Sequence, residues 1–527
     1  MDAIRFLLLS LAGCLLAGPV WADSAAQIRT YLEGIDAGDA ALVAGEALEH
    51  PRLIAEVYRS RAHRPIWIGD APLASQTRQV LDAVIESVDH GFVAERYHRG
   101  VIEQQLKSRQ RGIALELLVS DAFIGQALHR GQGIVTPPNL DAEWQLPTAE
   151  VDAAALLLET AASGASVKQV LAALWPGADE YWRLLERRAE IGAFGETVTA
   201  QVAPGAVLKP GQSSERVVAL KERLLGPGDY DPVYDEELRR EVIAFQRASG
   251  LEADAFVGGN TIDALNETRV SWIDSIDANL ERWRWLPRTA PTTYLRVNIA
   301  AYRLRILKDG KPVLGMNVVV GKPYRRTPVF TETIKYFVLN PTWNVPVSIA
   351  TQDKLPLLKA DAAAEAAKGF EAKLTGTDDF VNVDQIDWQP VTRANFHYLL
   401  RQRAGPQNAL GQIKFMLPNP YDVYLHDSPS RELFAKQERS FSSGCVRLQK
   451  PLELAKWLLA NDGQADAFDL EQLLATGATQ TIYLKHPVPT YIVYFTVFVD
   501  DDDEVVFRRD IYSRDRILVE ALRRSLP

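Results

Sequence analysis

The first part of the chain has the hydrophobic spacing of amphipathic helices. Between residues 24 and 196 alanine, leucine and glutamate are abundant, and apolar residues return every three or four positions. One such stripe is formed by Leu81, Val84, Ile85 and Val88. Residues at this spacing lie on one face of a helix. The pattern predicts a helical bundle or scaffold, and no motif in it indicates chemistry.

The pattern changes at about Tyr294 to the alternation that is typical of strands. A Lys308-Asp-Gly-Lys311 sequence has the composition of a hairpin turn. Strands are predicted at 294–300, 304–307, 316–320, 335–340, 421–426 and 480–484, and a helix is predicted at 451–459. The C-terminal half is therefore expected to be a β-rich domain that begins with a hairpin.

A stretch rich in proline and glycine, at 202–211, separates the helical region from a compact module. Residues 213–225 begin with a capping serine and have helical apolar spacing, and residues 235–248 repeat that spacing. Two short helices of this kind bury one face against each other. An alanine- and charge-rich segment at 360–371 predicts another helix, inserted into the β-rich half.

The N-terminus has the features of a secretory leader. Arg5 gives a slightly positive start, an apolar stretch follows from Phe6 to Leu16, and Val20–Ala22 has the pattern of a cleavage site. Residues 1–22 are therefore predicted to be a signal peptide of an exported, periplasmic protein. Lipidation of Cys14, or a leader that is not cleaved, would instead anchor the chain to a membrane.

Composition excludes some classes of function. The 527 residues suffice for about three domains, and the net charge of −10 argues against nucleic-acid binding. The acidic run 500–504 lacks the spacing of a calcium loop and is predicted to be a hairpin turn. Scattered histidines without metal-ligand spacing are interpreted as surface or packing residues: His50, His63, His90, His98 and His129. No metal and no cofactor are expected.

Cys445 is the only cysteine outside the leader, and it follows His426 by nineteen residues. A thiol becomes a nucleophile where a base can deprotonate it and backbone groups can bind an oxyanion. Gly444 leaves room for such a backbone approach, and Arg447 places a cation nearby. A small buried cysteine without chemistry is the alternative. The surrounding residues favour the nucleophile.

These residues resemble the YkuD-type L,D-transpeptidases, which remodel bacterial peptidoglycan. His426 followed by Ser443–Arg447 is similar to the histidine and the S-x-G-C-x-R signature of that family. Ser443 before the glycine and Asp427 after the histidine point to its YcbB-like branch. Further blocks occur in the order typical of that branch, at 281–287, 340–346 and 405–415.

The central module resembles a PG_binding_1-type peptidoglycan-binding domain. The resemblance lies in Phe245–Leu251 and Val257–Asn266; Asp254 matches the family pattern, but Ala255 replaces its usual glycine. Wall binding is the implied role, and packing against neighbouring domains is the alternative. The insertion at about 350–405 corresponds to a capping subdomain of the YcbB-like enzymes. It would act as a lid, or be a surface insertion without gating.

The resemblance also implies roles for individual residues. Cys445 attacks the donor carbonyl, and His426 acts first as base and then as acid. Backbone N–H groups of Gly444 and Cys445 hold the oxyanion together with the Tyr424 hydroxyl, and Ser443 orients the imidazole through its carbonyl or its hydroxyl. Arg447 binds a substrate carboxylate or braces the loop. Trp343 and Asn344 are candidates for the donor groove, with core packing slightly favoured for the tryptophan.

The predicted function is therefore a peptidoglycan L,D-transpeptidase that forms 3→3 cross-links between meso-diaminopimelate residues through a cysteinyl thioester, with release of D-alanine. Its partners would be peptidoglycan stem peptides, with other wall-synthesis proteins as further candidates, and carbapenems would acylate Cys445. An L,D-carboxypeptidase, a cysteine peptidase of wall peptides and a non-catalytic wall-binding scaffold are the alternatives. A papain-like peptidase is disfavoured because its cysteine precedes its histidine.

The predicted fold class is a multidomain α+β protein with a helical N-terminal scaffold, a small three-helix peptidoglycan-binding module and a YkuD-type β-sandwich that carries a helical capping insertion. The predicted boundaries are 1–22 for the signal peptide, 23–200 for the scaffold, 207–268 for the module, 290–486 for the catalytic domain and 487–527 for a C-terminal strand and helix extension.

Overall fold

The computed structural model describes residues 19–193, 200–249 and 251–525. Cys14 and most of the predicted signal peptide lie outside these residues, as does Gly250 of the predicted wall-binding motif. Among the described residues, no helix combines the length and the apolar character needed to cross a membrane.

Helices dominate the N-terminal region, as the spacing of its apolar residues predicts. They are α1 (Pro19–Asp36), α2 (Pro51–Ser60), α3 (Thr77–Glu86), α4 (Arg99–Lys107), α5 (Ile113–Gln132), α6 (Ala153–Ser163), α7 (Val167–Ala172) and α8 (Asp179–Ala193), with a short hairpin of β1 (Leu42–Val43) and β2 (Glu46–Ala47). Helix α5 is apolar around most of its circumference and is buried at the centre. Its buried Glu116 accepts hydrogen bonds from the Tyr58 hydroxyl and from the backbone N–H groups of Ile66 and Trp67.

The central module contains α9 (Glu215–Leu225), α10 (Glu236–Ala248) and α11 (Gly259–Leu265) around its own apolar core. Ala255, which replaces the usual glycine, has φ +64°, a conformation that favours glycine. Its N–H donates to Gln246 and its carbonyl accepts from the Tyr234 hydroxyl, 3.0 and 2.7 Å away. These two bonds stabilise Ala255 in a backbone conformation that is strained for a residue with a side chain.

A long helix, α12 (Arg269–Trp285), leads into the C-terminal half. It packs against α8 and α5 of the N-terminal region and against the C-terminal helix, and it belongs to the same apolar core as the strands that follow. The N-terminal helices therefore form one continuous core with the β-rich half, whereas the central module has a separate one.

The β-rich half begins with β3 (Thr293–Asn298), β4 (Arg303–Lys308), β5 (Lys311–Gly321) and β6 (Phe330–Leu339). The predicted turn lies between β4 and β5, where Asp309 and Gly310 both have positive φ. Two consecutive residues of this kind match the right-handed twist of a hairpin.

The insertion that follows is a small subdomain, called the cap here. It contains β7 (Trp343–Asn344), α13 (Val347–Ile349), a single π-helical turn (Ala350–Lys354), α14 (Leu355–Ala367), β8 (Phe370–Leu374), β9 (Val381–Asn382) and β10 (Tyr398–Gln402). Its four strands pair in the order β7-β10-β8-β9 over a core of their own. The helix predicted at 360–371 is confirmed from residue 362 to Ala367; Asp361 is extended, at φ −158° and ψ 87°, and its carboxylate accepts from the Ala364 N–H, so a new helical segment starts after it. The prediction is wrong beyond Ala367, because Gly369, at φ +83°, ends the helical run and Phe370 starts a strand.

The chain then returns to the sheet of β3 to β6 with β11 (Ile413–Met416), β12 (Leu425–His426), β13 (Ser440–Ser442) and β14 (Val446–Leu448), followed by α15 (Pro451–Asn461), α16 (Leu470–Ala475) and β15 (Gln480–Val493). Strand order is β13-β5-β14-β12-β11-β6-β15-β3-β4, and β4 pairs with β5 as well. Strand β5 pairs with β4 through its first half and with β14 near its end, so the sheet closes on itself. The predicted β-rich domain is confirmed.

The strand predicted at 421–426 is present only as Leu425–His426. The Asn419 carboxamide accepts from the N–H groups of Tyr421 and Val423, and Asp422 has φ +55°, so the preceding residues form a loop. At the C-terminus β16 (Val497–Val499) and β17 (Val505–Phe507) form a hairpin and α17 (Arg514–Arg524) follows. The acidic run 500–504 is the turn of that hairpin, as predicted.

Candidate active site

The predicted site residues lie close together because of the register between β12 and β14. These strands are parallel, and Leu425 pairs with Val446, both of which are fully buried in the core. Because side chains alternate between the two faces of a sheet, the residues on either side of this pair point away from the core. Tyr424, His426, Cys445 and Arg447 therefore share one face, at the edge of the cap core, where Tyr424 packs.

The turn that presents Cys445 depends on Gly444, whose φ is +113°. Two side chains fix this turn. The Ser442 hydroxyl accepts from the Gly444 N–H at 3.2 Å and donates to the Cys445 carbonyl at 2.5 Å. Thr327 donates from its hydroxyl to the Gly444 carbonyl at 2.8 Å. The Gly444 N–H is thus already bonded, while the Cys445 N–H has no hydrogen bond among the described residues. Of the two predicted backbone oxyanion donors, only Cys445 is available in this geometry.

The thiol of Cys445 is half-buried and touches Tyr424. It lies within hydrogen-bonding reach of the Tyr424 hydroxyl, and its sulfur is 3.6 Å from the Asp422 carbonyl. Burial raises the pKa of Cys445, although the Tyr424 backbone and the ammonium of Lys414 act in the opposite direction. The resting thiol is therefore protonated at neutral pH.

His426 is buried, and two cations flank it. Burial first, and then the Arg447 guanidinium and Lys414, lower the pKa of His426 to about 3. Its Nδ1 lies 2.5 Å from the Asp427 carbonyl, and the ring also bonds to the backbone of Leu410. The imidazole is thus neutral and is oriented by backbone carbonyls. In structures without substrate, the hydrogen bond between a catalytic base and its nucleophile is often long, and it shortens when substrate binds.

The predicted orientation of the imidazole by the Ser443 hydroxyl is not found. Ser443 is exposed, and its hydroxyl accepts from Arg325 Nη1 at 3.0 Å. Arg325 in turn donates from Nη2 to Asp353 Oδ1 in the π-helical turn of the cap, at 2.8 Å. Through Arg325, the serine therefore connects the turn before Cys445 to the cap rather than to the histidine.

Of the predicted substrate-binding residues, Arg447 and Trp343 lie at the site and Asn344 does not. The half-buried Arg447 has an Nε without a hydrogen-bond partner and no ion pair among the described residues. Trp343 is buried in the cap core against Phe370, and its side chain also hydrogen-bonds to the Tyr424 hydroxyl. Asn344 is exposed and pairs with Arg401 on β10.

Sequence reasoning missed Lys414. This residue on β11 is the cross-strand partner of His426, and its Nζ lies 3.8 Å from the centre of the Tyr424 ring. Its position follows from strand register, for which the sequence gives no signal beyond its place in the 405–415 block. Thr327 was missed because it is distant in sequence from the Gly444 carbonyl to which it donates. Ser442 is a neighbour of Cys445 in sequence, but the motif does not reveal its two hydrogen bonds within the turn.

Away from this site, three side chains come closer together than their sequence spacing suggests. Potential ligand atoms of Glu49, His50 and His129 lie within 4.8 Å of one another. The carboxylate of Glu49, however, accepts from Arg96 Nε at 2.9 Å, and His129 Nδ1 bonds to the Tyr97 hydroxyl at 2.8 Å. A cavity of about 570 Å³ between the N-terminal helices and β3, β4 and β15 is lined by none of the predicted site residues.

The titration of the site gives a first prediction. Because the pKa of His426 is lowered and that of Cys445 is raised, no thiolate–imidazolium pair forms in the free protein. Alkylation of Cys445 by iodoacetamide, followed by mass spectrometry from about pH 5 to about pH 10, is expected to accelerate only as pH rises above the ordinary range of a thiol. A plateau of fast alkylation that begins below about pH 7 would contradict this result.

Three family models match the chain. Residues 292–482 match the YkuD model, described as "L,D-transpeptidase catalytic domain". Residues 52–187 match a "Scaffold domain", and residues 213–265 match a "Putative peptidoglycan binding domain". All three follow the order in which the sequence predicts the corresponding regions.

The name of one relative agrees with the first of these matches. A protein of Haemophilus influenzae named "Putative L,D-transpeptidase" is 36% identical over 220 residues, which cover 42% of this chain and 44% of that protein. The chain thus spans less than half the length of this relative.

Solved structures resemble parts of the chain more distantly. An L,D-transpeptidase from Mycobacterium smegmatis is 13% identical over 39% of this chain and 60% of its own, with a TM-score of 0.19. The L,D-transpeptidase (Yku) from Stackebrandtia nassauensis is 13% identical over 56% and 97%, with the same TM-score. Likenesses of this size carry no argument about function. By the family model and the curated relative, residues 292–482 carry a YkuD-type L,D-transpeptidase catalytic domain, and the resemblance that the sequence indicated is confirmed.

Proposed function

We propose that this protein is a peptidoglycan L,D-transpeptidase that forms 3→3 cross-links between meso-diaminopimelate residues through a thioester on Cys445. One observation carries the proposal: Cys445, Tyr424, His426 and Arg447 share one face of two paired strands, within the region that matches an L,D-transpeptidase catalytic domain. A cysteine, a neutral base and an unpaired cation on one face are the parts that acyl transfer from an anionic peptide requires.

In the first half of the reaction, Cys445 attacks the carbonyl carbon between diaminopimelate and the terminal D-alanine of a donor tetrapeptide. His426 accepts the thiol proton during the attack, a role that suits an imidazole held neutral by its surroundings. The Cys445 N–H and the Tyr424 hydroxyl stabilise the oxyanion. The C–N bond then breaks, His426 returns the proton to the leaving amine, and D-alanine departs from the thioester.

In the second half, the side-chain amine of another diaminopimelate attacks the thioester carbonyl. His426 takes a proton from this amine and returns it to the departing sulfur, so the thiol is regenerated and a 3→3 amide remains. Water competes with the amine for the same carbonyl. The cap, which is joined to the site through Arg325–Ser443 and Trp343–Tyr424, is placed to exclude that water.

Arg447 binds a substrate carboxylate in this proposal. Its guanidinium forms no ion pair within 4 Å among the described residues, and its buried Nε has no hydrogen-bond partner. Glu432, in the loop before Cys445, acts on it only through longer-range electrostatics, whereas a bracing role would require direct contact. A cation without a partner in a peptide-binding site is instead matched by an anionic group of the substrate.

The substrate locates the proposed reaction outside the cytoplasm, in the periplasm. Stem peptides that supply the donor carbonyl and the acceptor amine are the partners, and the module at 213–265 would hold the enzyme on the wall. Other wall-synthesis proteins stay candidate partners. No cofactor takes part in the steps above.

The test is incubation of the purified protein with disaccharide-tetrapeptide muropeptides, followed by mass spectrometry of the products. A dimer formed with loss of one D-alanine is the expected result. Tripeptide and free D-alanine without dimer would show an L,D-carboxypeptidase instead, and cleavage elsewhere in the stem would show a cysteine peptidase. Unchanged substrate would favour a wall-binding scaffold.

A further inference from the structure

We propose that Lys414 is a substrate-binding residue that holds the carboxylate of the leaving D-amino acid. The inference rests on the proposed function, because it names the part of the donor that this side chain contacts. Lys414 lies on β11, two strands away from the strand of the nucleophile.

Strand register places Lys414 in the site. In the antiparallel pair β11–β12 it is opposite His426, and in the parallel pair β12–β14 His426 is opposite Arg447. Cross-strand partners share a face of the sheet, so the imidazole lies between two cations in one row of side chains. The next row of this face contains Tyr424 and Cys445.

The ammonium of Lys414 lies close to the reacting sulfur. Its Nζ is 3.8 Å from the centre of the Tyr424 ring, and the hydroxyl of that ring lies within reach of the Cys445 thiol. Lys414 and Cys445 are near enough to influence each other's ionisation. The ammonium is thus held over an aromatic face beside the thiol.

Lys414 also lacks a partner for its charge. Among the described residues it forms no ion pair, and Asp422 is the carboxylate that affects it electrostatically. The other groups that face it are Cys445, His426 and the Tyr424 ring, none of which is an anion at neutral pH in the resting site. A partly buried ammonium without a counterion is costly unless a ligand supplies one.

The covalent geometry of the donor peptide indicates which of its carboxylates binds to Lys414. The attacked carbonyl carbon must lie roughly 3 Å from the sulfur of Cys445. The α-carboxylate of the leaving residue is joined to that carbon through one amide nitrogen and one Cα, and therefore lies within about 4 Å of it. Other carboxylates of a stem peptide are separated from the scissile bond by more bonds. The leaving residue's carboxylate is thus the anion that comes nearest to Lys414.

This contact has a consequence for the base. Arg447 and Lys414 both oppose protonation of His426, because each adds positive charge to its surroundings. Carboxylates bound to the two cations offset that charge. Binding of the donor then makes His426 a stronger base at the moment when the thiol must lose its proton. Deprotonation of Cys445 is therefore coupled to the binding of a donor with a free C-terminal carboxylate.

The test is calorimetric binding of a tetrapeptide with a free C-terminal carboxylate and of its C-terminal amide, using the full chain with Cys445→Ala so that no turnover occurs. The acid is expected to bind about 10- to 100-fold more tightly than the amide, the range for a hydrogen bond to a charged group. In the Cys445→Ala, Lys414→Met chain this preference is expected to fall below about 2-fold, and Lys414→Arg is expected to restore part of it.

Lys335→Met in the same background is the matched control, because Lys335 is an exposed lysine on the neighbouring strand β6. It is expected to keep the full preference for the acid. An equal weakening of acid and amide by Lys414→Met would show that the lysine only packs against Tyr424 and would overturn the inference, as would a Cys445→Ala chain that binds both peptides equally. Since binding is measured without chemistry, failure of the muropeptide assay alone would contradict the proposed function and leave this result standing.

Discussion

Replacement of Cys445 by alanine is expected to abolish D-alanine release and cross-linking. The expected loss in rate is about 10⁶-fold, the effect of removing the nucleophile from a group of cooperating catalytic residues. The fold is expected to persist. The nucleophile turn is held by Ser442, Thr327 and the φ of Gly444, and none of these contacts involves the sulfur. The thermal midpoint of the variant should therefore stay close to that of the parent protein.

Two measurements check this prediction. Muropeptide products are followed by mass spectrometry, and intact mass is recorded after incubation with a carbapenem, which is expected to add to the parent protein and not to Cys445→Ala. Ser163→Ala, at an exposed position of α6, is the control and should behave as the parent. Residual cross-linking by Cys445→Ala near the parent rate, or a carbapenem adduct on it, would show that the nucleophile lies elsewhere.

Replacement of Glu281 by alanine is expected to lower the free energy of unfolding by about 3–5 kcal/mol, the cost of removing one partner of a buried ion pair. Glu281 is fully buried on α12 and accepts from Arg284 Nη1 at 2.8 Å and from the N–H groups of Ile134 and Val135 at 2.5 and 2.8 Å. Arg284 also donates to the His90 carbonyl. Without the carboxylate, a buried guanidinium and two backbone donors lose their acceptor.

This change would loosen the contact between the N-terminal helices and the catalytic domain, because Glu281 and Arg284 join α12 to loops of the helical region. Chemical denaturation followed by far-ultraviolet circular dichroism measures the effect. Glu190→Ala provides the control, since the ion pair of Glu190 with Arg187 is exposed and worth little. A loss below about 1 kcal/mol for Glu281→Ala would contradict the assigned role.

Much of the architecture follows from local sequence. Apolar spacing predicts the helices of the N-terminal region and of the central module, and the Asp309-Gly310 turn predicts the hairpin of β4 and β5. Errors occur where side chains or a single glycine override the pattern. Asn419 holds 421–424 in a loop, and Gly369 ends the helix predicted through residue 371. The domain boundaries given above stay predictions.

The features of the candidate site also divide into those that the sequence indicates and those that it does not. Its candidate nucleophile and base could be proposed from sequence because a cysteine beside glycine, with a histidine upstream, is a local pattern that chemistry explains. The contacts of these groups could not, since they depend on how the chain folds. Ser443 contacts the cap through Arg325, which is distant in sequence, and the imidazole is oriented by the carbonyls of the adjacent Asp427 and of Leu410.

The sequence by itself determined the helical character of the first part of this protein, the β-rich character of its C-terminal half, the Asp309-Gly310 turn and the residues that are candidates for the chemistry. Only the tertiary structure decided which side chains surround the candidate residues. The pairing of β11, β12 and β14 sets His426 between Lys414 and Arg447, and closure of the sheet through β5 fixes that register. Strand pairing joins residues far apart in the chain, and a shift of one residue would turn every side chain to the opposite face, so no local pattern could reveal this arrangement.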